Sequence, residues 1–254
     1  MRADKFFSQK YGSRTKAQAV LKEGLILRDG VALLPKDEVR ENDDFTFLDV
    51  GLRFVSAGGK KLERGLLRFS QSVDGETVAD LGASTGGFTQ CLLEHGAKKV
   101  YCVDVGTSLL DERLRTDRRV VVMDKTNARY LKKDSFPEPV SVITGDLSFI
   151  SLRLVLPSVY DVLPQNGRAF LLFKPQFECE RIGLNGNGIL PFKYHAKLLA
   201  SFYDYCLAVG LPVQNITNAP IVEKKNIEYV LFLKKHPEAL GKEIFLRRAA
   251  EISI

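Results

Sequence analysis

The chain has no apolar run approaching the ~20 residues that span a bilayer. Its first residues, Met1-Arg2-Ala3-Asp4-Lys5, lack the apolar core of a signal peptide. A cytoplasmic protein with no membrane partner is the expectation. Cysteine is scarce: Cys91, Cys102, Cys179 and Cys206 form no C-x-x-C pair, and three of them fall in apolar segments. They read as reduced, buried thiols, so neither disulfides nor a metal site is expected. The G-x-G-x-x-G spacing of a nicotinamide-binding loop is also missing.

What is present is a mild excess of positive charge, 37 Lys and Arg against 31 Asp and Glu in 254 residues. That balance suits a polyanionic partner. The basic residues crowd one end. Between Arg2 and Arg28 stand seven of them (Arg2, Lys5, Lys10, Arg14, Lys16, Lys22 and Arg28) against Asp4 and Glu23. Two short amphipathic helices fit here. One lies near Ala3 to Lys10 with Phe6 and Phe7 inward. The other runs from about Arg14 to Glu23, with Ser13 as N-cap, Ala17, Val20 and Leu21 inward, and Gly24 as its stop. Short strands follow at 25–27, 31–34 and 45–48. Arg2, Asp4, Ser13, Arg14, Ala17, Gly24, Asp29 and Gly30 together resemble the S4 RNA-binding domain. The resemblance implies an RNA-binding face acting mainly on phosphates.

After a linker at 51–58, a helix is expected from about Lys60 to Phe69. Leu62, Leu66 and Phe69 would be buried, and Lys61, Arg64 and Arg68 would lie on a neighbouring basic face, with Arg64 and Arg68 expected to bind RNA. Strand patterns then alternate with helices: strands at 77–81, 99–105, 119–123, 140–145, 168–173, 213–217 and 229–233, and helices notably at 87–95, 151–163 and 192–209. Seven strands in this order imply a doubly wound, Rossmann-like, mostly parallel α/β sheet ending in an antiparallel hairpin. The domains expected are 1–50, the linker 51–58, a large domain over 59–240, and a tail at 241–254.

The sheet's first strand leads into Asp80-Leu81-Gly82-Ala83-Ser84-Thr85-Gly86-Gly87-Phe88. Strand, glycine-rich turn and helix in succession hold nucleotide-like ligands at the carboxyl edge of a parallel sheet. The spacing suits S-adenosylmethionine. Gly82, Gly86 and Gly87 would let the backbone close on its amino-acid end, with Ala83, Ser84 and Phe88 beside them. Asp80 would sit near its ammonium group. Asp104 ends the second strand and could bind ribose hydroxyls. Asp124 ends the third, with Asn127 soon after, and could take the adenine amino group.

Two later strand ends carry unusual charges. Asp146 follows Val142-Ile143-Thr144-Gly145, and Lys174 follows the apolar Phe170-Leu171-Leu172-Phe173. Burying a lysine there is costly unless it is partnered or useful. Glu228 opens the last strand. At the carboxyl edge Lys61, Asp146, Lys174 and Glu228 could converge.

The glycine loop, Asp146 with Ser148-Phe149-Ile150-Ser151-Leu152, Lys174-Pro175-Gln176-Phe177-Glu178 and Asn226-x-Glu228-Tyr229 together resemble the TlyA family. These are S4-bearing relatives of the FtsJ-type ribose 2′-O-methyltransferases. The resemblance runs from Arg2 to about Lys235. It implies a Lys-Asp-Lys-Glu tetrad, which falls on Lys61, Asp146, Lys174 and Glu228. Lys60 leaves a one-residue ambiguity at the first position. It also implies S-adenosylmethionine as cofactor and a cytidine 2′-hydroxyl of ribosomal RNA, chiefly of the large subunit, as acceptor. The partner would be ribosomal RNA or a ribosomal subunit. Two departures stand out: Ala57 replaces a usual arginine, and Gly186-Asn187-Gly188-Ile189-Leu190-Pro191 lacks a usual Val-Arg-Asp ending.

The chemistry is coherent by itself. A ribose hydroxyl must lose its proton to attack a methyl group, and a lysine can take it if burial or a like charge depresses its pKa. Lys174 beside Lys61 offers that, with Asp146 orienting and Glu228 holding Lys61. The alternatives are a non-catalytic RNA-binding or ribosome-assembly factor and, because relatives are often labelled haemolysins, a membrane-active protein.

Overall fold

A computed structural model describes residues 1–251 except 12, 23, 48–52, 181–182 and 223–224. The expected helix end at Glu23, the strand end at Leu48, the first linker positions and the end of the tail lie outside the described residues. So do the side chains of Lys16 and Ala19. The chain divides into two compact units, Met1–Ala57 and Gly58–Ile254.

In the first unit, α1 (Ala3–Phe6) and α2 (Arg14–Lys22) accompany a three-stranded antiparallel sheet. Its strands β1 (Ile26–Arg28), β2 (Val31–Ala32) and β3 (Phe45–Phe47) lie in the order β2-β1-β3. Ala3, Phe7, Ala17, Leu21, Ile26, Leu33 and Val39 form its core. Helix α1 is shorter than expected. The Ser8 hydroxyl donates to the Lys5 carbonyl, a local bond that competes with helix continuation. Asp4 is buried and accepts hydrogen bonds from Arg2, Arg14 and Gln18. The Arg2 contact, first among these, holds Asp4 far below the usual carboxylate range. That one carboxylate ties α1 to α2.

The second unit starts with α3 (Gly58–Arg68) and continues β4 (Thr77–Leu81), α4 (Gly87–Glu94), β5 (Lys99–Val103), α5 (Glu112–Arg115), β6 (Val120–Met123) and β7 (Val142–Gly145). Then come α6 (Leu156–Val162), β8 (Arg168–Phe173), α7 (Pro175–Glu178), α8 (His195–Val209), β9 (Val213–Asn218), β10 (Tyr229–Lys234) and α9 (Lys242–Glu251). The sheet order is β6-β5-β4-β7-β8-β10-β9. β4 pairs in parallel with both β5 and β7, while β10 runs antiparallel to β8 and β9. The expected α/β fold, seven strands and closing hairpin are all present.

This order has a consequence for ligands. The chain winds outward from β4 through β5 and β6, then reverses through β7 and β8, so a crevice opens at the carboxyl ends of β4 and β7. The middle of the sheet is fully covered: every residue of β4 and β7 is buried. Two approaches are unusually close. Helix α3 meets β10 at Gly65, where a Cβ would lie 2.7 Å from Val230 Cγ1. Gly86, with φ +97°, comes so near the Leu114 and Leu110 side chains that a Cβ would overlap them.

Two differences from the sequence reading have clear causes. The helix expected over 151–163 breaks into a 3-10 turn at Leu152–Leu154 followed by α6. Pro157 has no N–H to donate to the Arg153 carbonyl, which instead accepts from Tyr205 Oη at 2.9 Å. The expected tail contains α9, because Phe245 and Ala249 lie on one helical face and are both buried. The Phe245 ring packs 5.2 Å from that of Tyr203.

Candidate active site

At the carboxyl edge lies a cavity of about 500 Å³. Gly82 and Ser84 form one wall, Val103 to Val105 and Leu109 a second, Thr126 to Ala128 a third, and Asp146 to Ile150 a fourth. Four of the expected cofactor residues line it: Gly82, Ser84, Asp104 and Asn127. Asp104 accepts from the backbone N–H groups of Ser84 (2.9 Å) and Gly106 (2.8 Å), one on each carboxylate oxygen. Each oxygen keeps capacity for a ligand hydroxyl. Asn127 caps the 3-10 turn Ala128–Tyr130 through the Arg129 N–H.

The remaining expected cofactor residues face elsewhere. Asp80 is 1% exposed, and its carboxylate accepts from Thr89 Oγ1 at 2.7 Å and Thr144 Oγ1 at 2.9 Å. It braces the loop from beneath, joining β4, α4 and β7, and is not among the cavity's lining residues. Burial pushes its carboxyl up to about 6, against the pull of the two threonines. Gly87 opens α4, and Ala83 and Phe88 are buried in the packing. Gly86 faces Leu110 and Leu114. Asp124 accepts from the Ser108 N–H at 3.1 Å and lies 3.5 Å from Arg115. Spacing alone cannot separate a residue that faces the ligand from one that shapes the loop behind it.

The four charged groups do converge. Lys174 Nζ lies 2.6 Å from Asp146 Oδ1, Lys61 Nζ 3.6 Å from Asp146 Oδ2, and Lys61 Nζ 2.7 Å from Glu228 Oε2. Signs alternate along the row Glu228, Lys61, Asp146, Lys174. Lys60 is exposed, and Lys61 is the lysine that meets Asp146 and Glu228. Burial draws the Asp146 carboxyl upward, but Lys61 and Lys174 outweigh it and hold it below the usual range. Burial likewise opposes charge on Lys61, and Asp146 and Glu228 outweigh that, raising its pKa. Lys61 is therefore a fixed cation. Lys174, 6% exposed, also donates to Ser148 Oγ at 3.1 Å. Asp146 and Ser148 line the cavity too, so the row adjoins it.

Three residues outside the sequence reading's site hold this arrangement. Glu178 accepts from Ser151 Oγ (2.6 Å) and the Leu152 N–H (2.7 Å), binding the segment after Lys174 to the segment after Asp146. Asn226, two residues before Glu228, accepts from the Leu190 N–H (2.8 Å) and donates to the Gly188 carbonyl (2.9 Å). It thereby clamps the unusual loop beside the last strand. His195 is buried between the Tyr229 hydroxyl (2.9 Å) and the Leu190 carbonyl (3.2 Å). Glu178 and Asn226 stand inside motifs legible in the sequence, whereas nothing in it marks His195.

The expected RNA-binding residues are dispersed. Arg2 and Arg14 are half-exposed with their guanidiniums on Asp4. Lys5 and Lys22 are exposed, and Lys10 Nζ lies 3.3 Å above the Phe47 ring. Arg64 and Arg68 belong to α3 in the second unit.

Comparison with known proteins accords with this geometry. A family profile for FtsJ-like methyltransferases matches residues 54–235. The 16S/23S rRNA (cytidine-2′-O)-methyltransferase TlyA of Mycobacterium tuberculosis is 33% identical, the match covering 93% of this chain and 91% of that protein. Hemolysin A of Brachyspira hyodysenteriae is 38% identical over 86% of this chain and 92% of its own length. A solved structure carrying a hemolysin name, from Streptococcus thermophilus, superposes with a TM-score of 0.80 at 34% identity, covering 99% of this chain and 95% of that one. The chain belongs to the FtsJ-like methyltransferases, within their TlyA family. The cofactor of such enzymes is S-adenosylmethionine. The cavity fits it on its own terms: a Cβ at Gly82 would lie only 3.0 Å from Leu147 Cδ2 and 3.2 Å from the Asp146 carbonyl, so the bare loop packs closely against the opposite wall of the cavity.

Two outcomes follow from this geometry. Gly82 has φ +75°, so Gly82→Val strains the backbone and pushes into Leu147 and Asp146 of the cavity wall. Calorimetric titration should show loss of S-adenosylmethionine binding by a folded protein; unchanged affinity would remove the cofactor from this cavity. Asp80 has a folded pKa near 6 against an unfolded value near 4. The folded state therefore holds the proton more tightly, and stability falls as pH rises through that window, by on the order of 3 kcal/mol in all. Asp80→Asn should flatten the slope of unfolding free energy between about pH 4 and 6. A slope equal to wild type in denaturant titrations would assign it to another group.

Proposed function

We propose that this protein is an S-adenosylmethionine-dependent ribosomal RNA 2′-O-methyltransferase acting on the ribose of a cytidine, most readily in 23S rRNA. The observation that carries the reading is the row Glu228, Lys61, Asp146, Lys174 set beside the cavity, with Asp146 belonging to both. The named activity of the M. tuberculosis relative supplies the substrate class. A ribosomal RNA substrate supports a cytoplasmic location. Among the described residues no helix is long and apolar enough to cross a membrane, and no cluster of metal-binding side chains is present.

S-adenosylmethionine, when bound, supplies an electrophilic methyl group. The protein's task is to orient the acceptor and to handle one proton. Lys174 Nζ, at the buried end of the row, accepts the proton of the ribose 2′-hydroxyl. It does so through its uncharged amine, the form that carries a free lone pair. Asp146 fixes the direction of that nitrogen through a 2.6 Å contact. Lys61, kept charged by two carboxylates, stabilises the oxygen as negative charge develops on it. Glu228 holds Lys61 in place. The first unit, with its exposed lysines, acts as an S4-like RNA-binding module that grips phosphates.

The decisive assay is single-turnover transfer of labelled methyl groups to ribosomal subunits over a pH series. Lys174→Arg keeps the charge but cannot act as a base. It should bind cofactor and RNA nearly as wild type and transfer ~10²-fold or more slowly, while Lys61→Arg should be milder. A Lys174→Arg enzyme with wild-type rate and pH profile would refute the assignment of the base. Removal of residues 1–57 should weaken RNA binding and leave cofactor binding intact, as gel-shift and calorimetry would show. Normal methylation by the truncated chain would reject the RNA-binding role of the first unit.

A further inference from the structure

A separate cavity of about 450 Å³ lies in the second unit between α3, the edge strand β9 and α9. Arg64, Arg68 and Arg248 stand on its walls, together with Asn215 and Asn218. Arg64 donates through Nε to the Asn218 carbonyl (2.9 Å) and through Nη2 to Asn218 Oδ1 (3.0 Å). Arg248 Nη1 donates to Asn215 Oδ1 at 2.6 Å. The Arg68 side chain has no hydrogen bond or ion pair among the described residues. None of the three arginines lies within ion-pair distance of a carboxylate there, and Glu251, the one acid on the wall, lies 3.8 Å from Arg247.

Elsewhere in this unit buried or half-buried arginines meet acids, as Arg119 meets Asp117 and Arg168 meets Glu76. Here two guanidiniums are aimed by neutral amides and a third is free. Amide partners fix direction without cancelling charge, so the cavity gathers three cations that a doubly coordinating anion would satisfy. Its place in the fold points to the kind of anion. Arg64 and Arg68 follow Lys61 on α3 by three and seven residues, which puts them on one side of the helix, roughly 4.5 and 10 Å from it along the axis. Asn218 lies opposite Tyr229 in the β9–β10 ladder, and the Ala219 N–H donates to the Glu228 carbonyl at 2.8 Å. The cavity and the charged row thus share a helix and a strand end. A nucleic-acid strand rising about 3.4 Å per nucleotide spans that distance in a few nucleotides.

We propose that this arginine-lined cavity binds phosphodiester groups of the RNA strand that carries the target ribose, a few nucleotides from it. This rests on the function proposed above, and it adds Arg248, from the C-terminal helix, to the residues that hold the substrate. The site sets affinity and register, and its loss therefore appears in KM more than in kcat.

The test is equilibrium binding of protein-free large-subunit ribosomal RNA by the full chain across a salt series. Arg68→Ala, Arg248→Ala and Arg248→Lys are compared with wild type. Each alanine variant should bind ~5- to 10-fold more weakly and reduce the slope of log K against log salt by about one. Arg248→Lys should restore the slope. Calorimetry with inorganic phosphate alone should show no saturable binding. The Arg68 side chain makes no hydrogen bond or ion pair among the described residues, so its alanine variant removes no polar contact of the fold. Unchanged affinity and slope in Arg68→Ala and Arg248→Ala would overturn the proposal. So would saturable phosphate binding that Arg68→Ala abolishes while the RNA slope stays put, which would make this a site for a small free anion. A wild-type chain that transfers methyl groups but shows no slope change in the variants refutes this inference alone. One that shows the slope change without methyl transfer refutes the proposed activity alone.

Discussion

The Asp146 carboxylate, held between two lysines, is the contact on which the site depends. Each oxygen faces one ammonium group, and each lysine comes from a different part of the chain: Lys61 from α3, Lys174 from the end of β8. Burial alone would drive this carboxyl toward neutrality, and a neutral acid would leave two ammonium groups close together with little between them. The charge on Asp146 is therefore both a product of the assembled fold and a condition of it. Its location is set by topology, since it directly follows β7, the strand beside the reversal of winding order.

Around that contact the fold uses devices that act on the backbone to fix distances. Gly65 lets α3 approach β10 without an intervening side chain, which brings Lys61 to Glu228. Glu178 joins the segments that follow Asp146 and Lys174. Asn226 secures the glycine-rich loop next to Glu228. Each acts on backbone position, so side chains that must be exact in direction rest on elements that cannot drift.

The alternation of strands and helices, and the glycine loop between β4 and α4, were legible because periodicity and turn chemistry are local properties. So was the convergence of Lys61, Asp146, Lys174 and Glu228, since charges at the ends of apolar strands are conspicuous. The facing of individual loop residues was not. Asp80 reads in sequence as a ligand contact, yet it lies under the loop because Thr89 and Thr144 meet it there, and those partners sit 9 and 64 residues away. Gly86 looks like its neighbour Gly82, but one lies against Leu110 and Leu114 and the other against Leu147 and the Asp146 carbonyl of the cavity wall. Arg248 carries no local signal at all, and its place beside Arg64 and Arg68 exists only once α9 has packed on the sheet.

The alternating row has a further consequence. The two reactants carry opposite electrical character: the nucleic acid is a polyanion, and the methyl donor bears a sulfonium cation. A strongly positive centre would attract the first and repel the second, and a strongly negative one would do the reverse. Two lysines and two carboxylates in series largely offset one another, so the row proposed above as the reaction centre is strongly of neither sign. Long-range attraction is left to the basic surfaces away from it, and capture of the nucleic acid can strengthen or weaken over evolutionary time without disturbing the electrostatic balance at which the methyl group changes hands.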